Sequence, residues 1–165
     1  MPILTVRIPV SQIGERLGQY AEGLSSSGLD AASQQRLVQQ AAIWRWVYVG
    51  ESRAAAEDEL TAALVQTRRH MNHARHELNP ADFKVGSAML NPWTDPGYSD
   101  EEGIRFALRS GTLIGTARDV AEQVAEVRHA GAGHLLCQMS FGYLDHARIK
   151  TSMRRFGEHV MPAFT

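Results

Sequence analysis

The sequence predicts an α/β fold: about three parallel strands with flanking helices. Short apolar segments at residues 3–6, 43–49 and 134–139, the first two rich in β-branched residues, are separated by stretches of helical periodicity. Strands that alternate with helices imply a parallel sheet with right-handed crossovers. The chain of 165 residues is 44% hydrophobic and 21% charged, which suits one globular domain.

Residues 3–6 form the first strand, between Pro2 and Pro9. Ser11 is placed to cap a helix whose apolar positions are Ile13, Leu17, Tyr20 and Leu24. Residues 25–28 end it, and Asp30 caps a second, short helix to about Gln39. Residues 43–49, aromatic and β-branched, are the strongest strand, closed by Gly50. Ser52 caps a long Ala-rich helix to about residue 78, with a stripe of Leu60, Leu64, Thr67, Met71, Ala74 and Leu78.

Residues 79–99 hold Pro80, Pro92, Pro96, Gly86 and Gly97 and read as a long insertion loop, the kind that is either a functional lid or disordered. Asp100 opens a helix over about 101–110, and Gly111 and Gly115 mark a turn. Thr116 and Asp119 have capping-box spacing ahead of Val120, Val124 and Val127, and Gly131 ends that helix. The third strand follows. Asp145 caps a last helix with core positions Ile149, Met153, Phe156 and Val160, stopped by Pro162.

A net charge of −1 gives no electrostatic case for nucleic acid or an acidic membrane. Cys137 is the single cysteine, so no internal disulfide is possible, and its apolar run suits a buried thiol. No stretch approaches the ~18 apolar residues of a membrane span. The first ten residues lack the apolar segment of a signal peptide, so a cytoplasmic protein is expected. His70, His73 and His76 do not share a helix face at metal-binding spacing, and Arg68, Arg69 and Arg75 flank them, so no metal is expected. The Gly131-Ala132-Gly133 run precedes a strand, the reverse of a dinucleotide-binding turn.

Several segments resemble one known family. Residues 115–124, Gly-Thr-Ala-Arg-Asp-Val-Ala-Glu-Gln-Val, are similar to the G-(T/S)-P-x-x-V-A-E passage of the bacterial luciferase-like flavin monooxygenases. Residues 130–138 resemble that family's A-G-(V/A)-x-H-(L/V)-L-x-Q strand, residues 140–146 the loop after it, and residues 160–164 its V-M-P ending. Residues 47–53 resemble its strand-to-helix passage, with Gly50 where Ala is usual; Ala117 stands where Pro is common.

The resemblance implies a partial (β/α)8 (TIM) barrel, residues 1–165 being one luciferase-like domain fragment whose three strands correspond to the sixth, seventh and eighth. Helices are then expected on the convex side of the sheet. A full barrel takes roughly 200–250 residues or more. The first five units, which hold much of the family's FMN site, have no counterpart here, so the chain alone is expected to lack a complete active site. It would be a truncated product, a fragment or half of a split barrel.

One alternate set of side chains on the central strand would then stay wet: Trp44, Trp46 and Tyr48, or Ile43, Arg45, Val47 and Val49. A homo-oligomer or a complementing N-terminal half-barrel would cover it, or the helix from Ser52 would. The implied activity is oxidation of a small organic substrate with O₂ by reduced FMN, with a flavin reductase as a candidate partner. The alternatives are a deazaflavin-dependent oxidoreductase of the same superfamily, or a non-catalytic remnant that pairs with another chain.

Barrel enzymes place their chemistry at the carboxyl ends of the strands. There Gln138, Ser140, Phe141 and Tyr143 are candidates to hold the cofactor, by hydrogen bonding or stacking, against the alternative of a packed turn. Gly115 and Thr116 lead into a helix N-terminus and are candidate anion ligands or a plain cap. Trp93, Thr94 and Tyr98 are candidate lid residues, and Arg7 and Ser11 follow the first strand in the corresponding position. His146 is a candidate acid or base, or a histidine of the capping turn.

Overall fold

The computed structural model describes residues 2–6, 8–80, 86 and 90–164. In chain order the elements are β1 (Leu4–Val6), α1 (Ile13–Ser25), α2 (Ala31–Gln39), β2 (Ala42–Val49), α3 (Arg53–His76), α4 (Asp100–Ser110), β3 (Thr112–Gly115), α5 (Ala117–His129), β4 (His134–Gln138) and α6 (His146–His159). The four strands form one parallel sheet around β2. Leu4–Val6 lie beside Ala42–Trp44, Thr112–Gly115 beside Trp46–Val49, and His134–Gln138 beside Ala42–Trp46.

The expected order of the three anticipated strands holds, since β1, β2 and β4 lie side by side. The number does not: β3 is a fourth strand, in a stretch that reads as a turn between two glycines. The Ala42 N–H donates to the Ile3 carbonyl, and the Trp46 and Gly50 N–H groups donate to the Gly111 and Gly115 carbonyls. A parallel strand directs alternate residues to each neighbour. β1 and β3 therefore lie end to end along one edge of β2, with β4 on the other. The sheet does not close into a barrel.

The expectation of helices on one side is overturned. On one face Ile43, Val47 and Val49 pack with Ile13 and Leu17 of α1, Val120 and Val127 of α5, and Val160. On the other, Trp46 and Tyr48 pack with Ala56, Leu60 and Leu64 of α3, Ile104 and Ala107 of α4, Trp93, Ile114 and Phe141. Helices α3 and α4 lie over this second face because the α3 leucines must be buried; each is worth about 2 kcal/mol. The central strand is consequently covered on both faces along most of its length, and the helix from Ser52 supplies the cover. What stays open is the amino half of the second face, where Leu4 and Leu136 are 51% and 47% exposed beside the half-buried Trp44.

The local signals resolve mostly as expected. Asp30, Ser52 and Asp145 accept from the N–H groups of the turns they cap, Thr116 and Asp119 form a capping box, and Gly131 takes φ 101° at the end of α5. Two caps differ. Ser11 lies in a 3-10 turn, and Gln12 precedes α1 without a side-chain cap. Helix α4 is capped by Ser99, whose box partner is Glu102, and includes Asp100. The stripe of α3 also departs from expectation. Leu60 and Leu64 are buried, but the face continues through Arg68 and Asn72, while Ala74 is exposed and Leu78 is 71% exposed.

Candidate functional site

The carboxyl end of β4 borders a concavity of about 530 Å³, with Trp44, Leu136, Gln138, Ser140 and Met153 in its wall. Register places Leu136 opposite Trp44 and Gln138 opposite Trp46. Since side chains alternate along a strand, these residues share the open second face of the sheet. The Gln138 amide donates to the Ser140 carbonyl at 3.3 Å and stays exposed. Phe141 turns away into the core, its ring centroid 6.0 Å from Tyr48 and 6.3 Å from Trp46, whereas Tyr143 is exposed. Of the four β4-loop candidates, Gln138 and Ser140 thus share a surface, Phe141 lies behind it and Tyr143 stands off it.

Beyond the end of β2 a smaller polar pocket of about 210 Å³ lies between α3 and α6. Tyr48, 2% exposed, donates its hydroxyl to the Glu59 carboxylate. Burial pushes the Tyr48 phenol above its ordinary pKa, and the Glu59 hydrogen bond and charge push it further. The Arg148 guanidinium stands 3.9 Å from Glu59, and Arg155 pairs with Glu51 at 3.0 Å. The Ser152 hydroxyl, buried, accepts from the Val49 N–H at 2.8 Å and joins α6 to the sheet.

The part of the insertion loop from Asn91 to Ser99 is pinned by Arg68, which is 5% exposed. Its guanidinium donates to the carbonyls of Pro92, Asp95 and Tyr98 and pairs with Asp100 at 2.7 Å. Asn72 donates to the Trp93 carbonyl. A loop laid over a core needs donors for its carbonyls, which is why the buried face of α3 turns polar here. Trp93 and Thr94 are buried, Trp93 against Trp46 at a centroid distance of 5.0 Å. Tyr98 is partly exposed and lines a separate groove of about 430 Å³ with Pro9, Phe106, Arg105 and Arg109.

The remaining candidates are scattered. The Thr116 hydroxyl and N–H both donate to Asp119, and Gly115, at φ 138°, lies against that carboxylate. Ser11 and His146 are exposed, and Arg7 lies outside the described residues. Among the described residues no three His, Cys, Asp or Glu side chains are grouped to hold a metal ion. No described helix is long and apolar enough to cross a membrane.

Sequence reasoning passes over Arg68, Ser152 and the Tyr48–Glu59 pair. None has a local signature, because their partners lie 11 to 103 residues away. Arg45 does offer a signal: a cation inside an apolar strand. It is buried, donates to the Trp44 and Ile8 carbonyls, and straps the exit of β1 to β2.

Against known proteins, no family model matches the chain, and no curated protein matches it in sequence. Among solved structures it resembles a type II Baeyer-Villiger monooxygenase, the oxygenating constituent of 3,6-diketocamphane monooxygenase from the CAM plasmid of Pseudomonas putida, in complex with FMN. The TM-score is 0.62 at 16% identity, over 98% of this chain and 42% of that one. The likeness establishes the fold, a parallel sheet flanked by helices as in part of such a protein. The chain spans about two fifths of its neighbour's length.

The concavity beside β4 offers an apolar wall in Trp44 and Leu136 and two hydrogen-bonding side chains in Gln138 and Ser140. Those groups fit the edge of a flavin ring. Among the described residues no arginine or lysine lines the concavity, so a phosphate would need a cation from outside it.

Proposed function

We propose that this chain is the C-terminal part of a luciferase-like, flavin-dependent monooxygenase that oxidises a small organic substrate with O₂. The supporting observation is the match of nearly the whole chain to part of an FMN-containing monooxygenase, with β1, β2 and β4 side by side in the parallel sheet. FMN would supply the oxidative chemistry when bound. In this reading Trp44 and Leu136 form the ring's apolar wall, and Gln138 and Ser140 meet its polar edge. Trp93, pinned through Arg68, keeps water out from behind, while Tyr98 stands apart in its own groove with Pro9 and Phe106. Gly115 and Thr116 serve the cap of α5 first and reach a ligand only through that turn.

The open surface at Leu4, Trp44 and Leu136 favours a partner: a complementing half-barrel or a second copy. It equally suits a non-catalytic subunit that pairs with another chain, which is the second reading. A deazaflavin in place of FMN is a variant of the first.

Flavin-fluorescence titration tests this directly. The isolated chain should bind FMN or a deazaflavin weakly or not at all. A dissociation constant of about 1 µM or tighter, roughly −8 kcal/mol, would mean that a complete site lies within it. Fusing the chain to the N-terminal strands of the diketocamphane monooxygenase should give a folded protein that retains flavin. A fusion that folds but binds neither flavin would leave the subunit reading.

A further inference from the structure

The second face of the sheet carries a run of aromatic rings. Trp44 borders the concavity beside β4. Its ring centroid is 5.4 Å from Trp46, edge to face. Trp46 contacts Trp93 at 5.0 Å and Phe141 at 6.3 Å, and Phe141 contacts Tyr48 at 6.0 Å. Trp46 and Tyr48 are also two residues apart on one strand, with Cα atoms about 7 Å from each other. Tryptophan and tyrosine are the aromatic side chains most readily oxidised by one electron. Here Trp44 and Trp46 are in ring contact beside a ligand-sized opening, and the Phe141 ring, in contact with both Trp46 and Tyr48, spans the last step to a buried phenol.

The far end has a feature that packing does not require. An oxidised tyrosine becomes strongly acidic and must release its phenolic proton. Tyr48 has a base already in contact, because its hydroxyl donates to the Glu59 carboxylate. Glu59 is partly open to solvent, with Arg148 beside it, so a proton received there has a way out. A phenol with its proton acceptor in place makes Tyr48 the terminus of the run.

We propose that Trp44, Trp46 and Tyr48 form a redox relay that draws a single oxidising equivalent out of the concavity beside β4. A one-electron oxidant held there takes an electron from Trp44, Trp46 refills Trp44, and Tyr48 refills Trp46. Tyr48 loses one electron and its phenolic proton, Glu59 gains that proton, and the oxidant is reduced by one electron. The inference rests on the flavin reading only for the natural oxidant, a flavin or an oxygen species formed with it. The relay itself belongs to this chain and can be driven by another oxidant.

The test is light-driven. A ruthenium polypyridyl photo-oxidant is attached to cysteine in a Ser140→Cys, Cys137→Ser variant of the full chain and flash-quenched to its one-electron oxidised form. Transient absorption and electron paramagnetic resonance should show a tryptophan radical decaying as a neutral tyrosyl radical appears. Tyr48→Phe should leave the tryptophan radical and abolish the tyrosyl signal. Trp46→Phe, which keeps an aromatic ring in the core, should confine the radical to Trp44. Glu59→Gln, a change at a partly exposed position, should slow or remove the tyrosyl signal without altering the first oxidation. A tyrosyl signal that survives Tyr48→Phe or Trp46→Phe, no tyrosyl signal in the labelled chain with Tyr48 in place, or indifference to Glu59→Gln would each overturn the relay. Because no flavin is present, these outcomes stand apart from those of the flavin titration.

Discussion

Gly103 of α4 lies against the side chain of Arg68. A Cβ at position 103 would overlap the Arg68 Nε and stand 2.7 Å from its Cδ and 2.8 Å from the Pro92 carbonyl oxygen. The glycine lets a buried guanidinium pass between two helices to the loop carbonyls. Gly103→Ala should cost about 2 kcal/mol or more, since an overfilled site must shift backbone or expel the arginine. Gly18→Ala, in α1 with nothing within 4 Å, should instead stabilise by about 0.5–1 kcal/mol. Urea unfolding of the two variants measures the contrast.

Asp100 receives both Arg68 and Arg69, each at 2.7 Å. Burial raises its pKa, but the Arg69 and Arg68 hydrogen bonds and charges outweigh that and hold the carboxyl below its ordinary 3.8. A depressed carboxyl contributes stability above its unfolded value and loses it as pH falls through the folded one. The gap in stability between the natural chain and Asp100→Asn should therefore be constant near neutrality and narrow below about pH 4. Thermal melts over that range decide it; a gap that is flat down to acid unfolding would show that the pair contributes nothing.

Ser152→Ala should destabilise by about 1–3 kcal/mol, because it strands the buried Val49 N–H. Hydrogen exchange at Val49 should accelerate in the variant more than at neighbouring β2 amides.

Burial pushes the Cys137 thiol up to about 11 from an ordinary 9.0. At pH 8 its thiolate fraction falls by about a hundredfold, and alkylation should slow accordingly relative to the urea-unfolded chain. Equal rates in the two states would mean that the β4 edge opens freely.

The elements legible in the sequence are those whose signals are local. Residues 43–49 declare a strand through β-branching and aromatics. Asp30, Ser52, Thr116, Asp145 and Gly131 mark helix ends by chemistry that acts within four residues. β3 escapes because Thr112, Leu113 and Ile114, set between Gly111 and Gly115, carry too little pattern to outweigh two turn-forming residues. Its strand character comes from pairing with β2.

The buried polar face of α3 escapes for a different reason. A periodicity argument extends an apolar stripe through Met71, Ala74 and Leu78, whereas Arg68 and Asn72 are buried by a loop whose carbonyls need donors. For the candidate site, the strand-end rule locates Gln138 and Ser140. It cannot tell that Phe141 points inward, because that direction is set by Trp46 and Tyr48 across the sheet.

Every strand pairing in this sheet passes through β2. β1, β3 and β4 make no ladder with one another among the described residues, so none has a partner until residues 42–49 are in place. The pairings with β3 and β4 close long stretches of chain, and such closures are slow to form. Assembly is therefore gated by one segment, and the amides of β2 should be the last to exchange with solvent. An added barrel half or second copy would join a sheet whose cohesion already rests on that single strand.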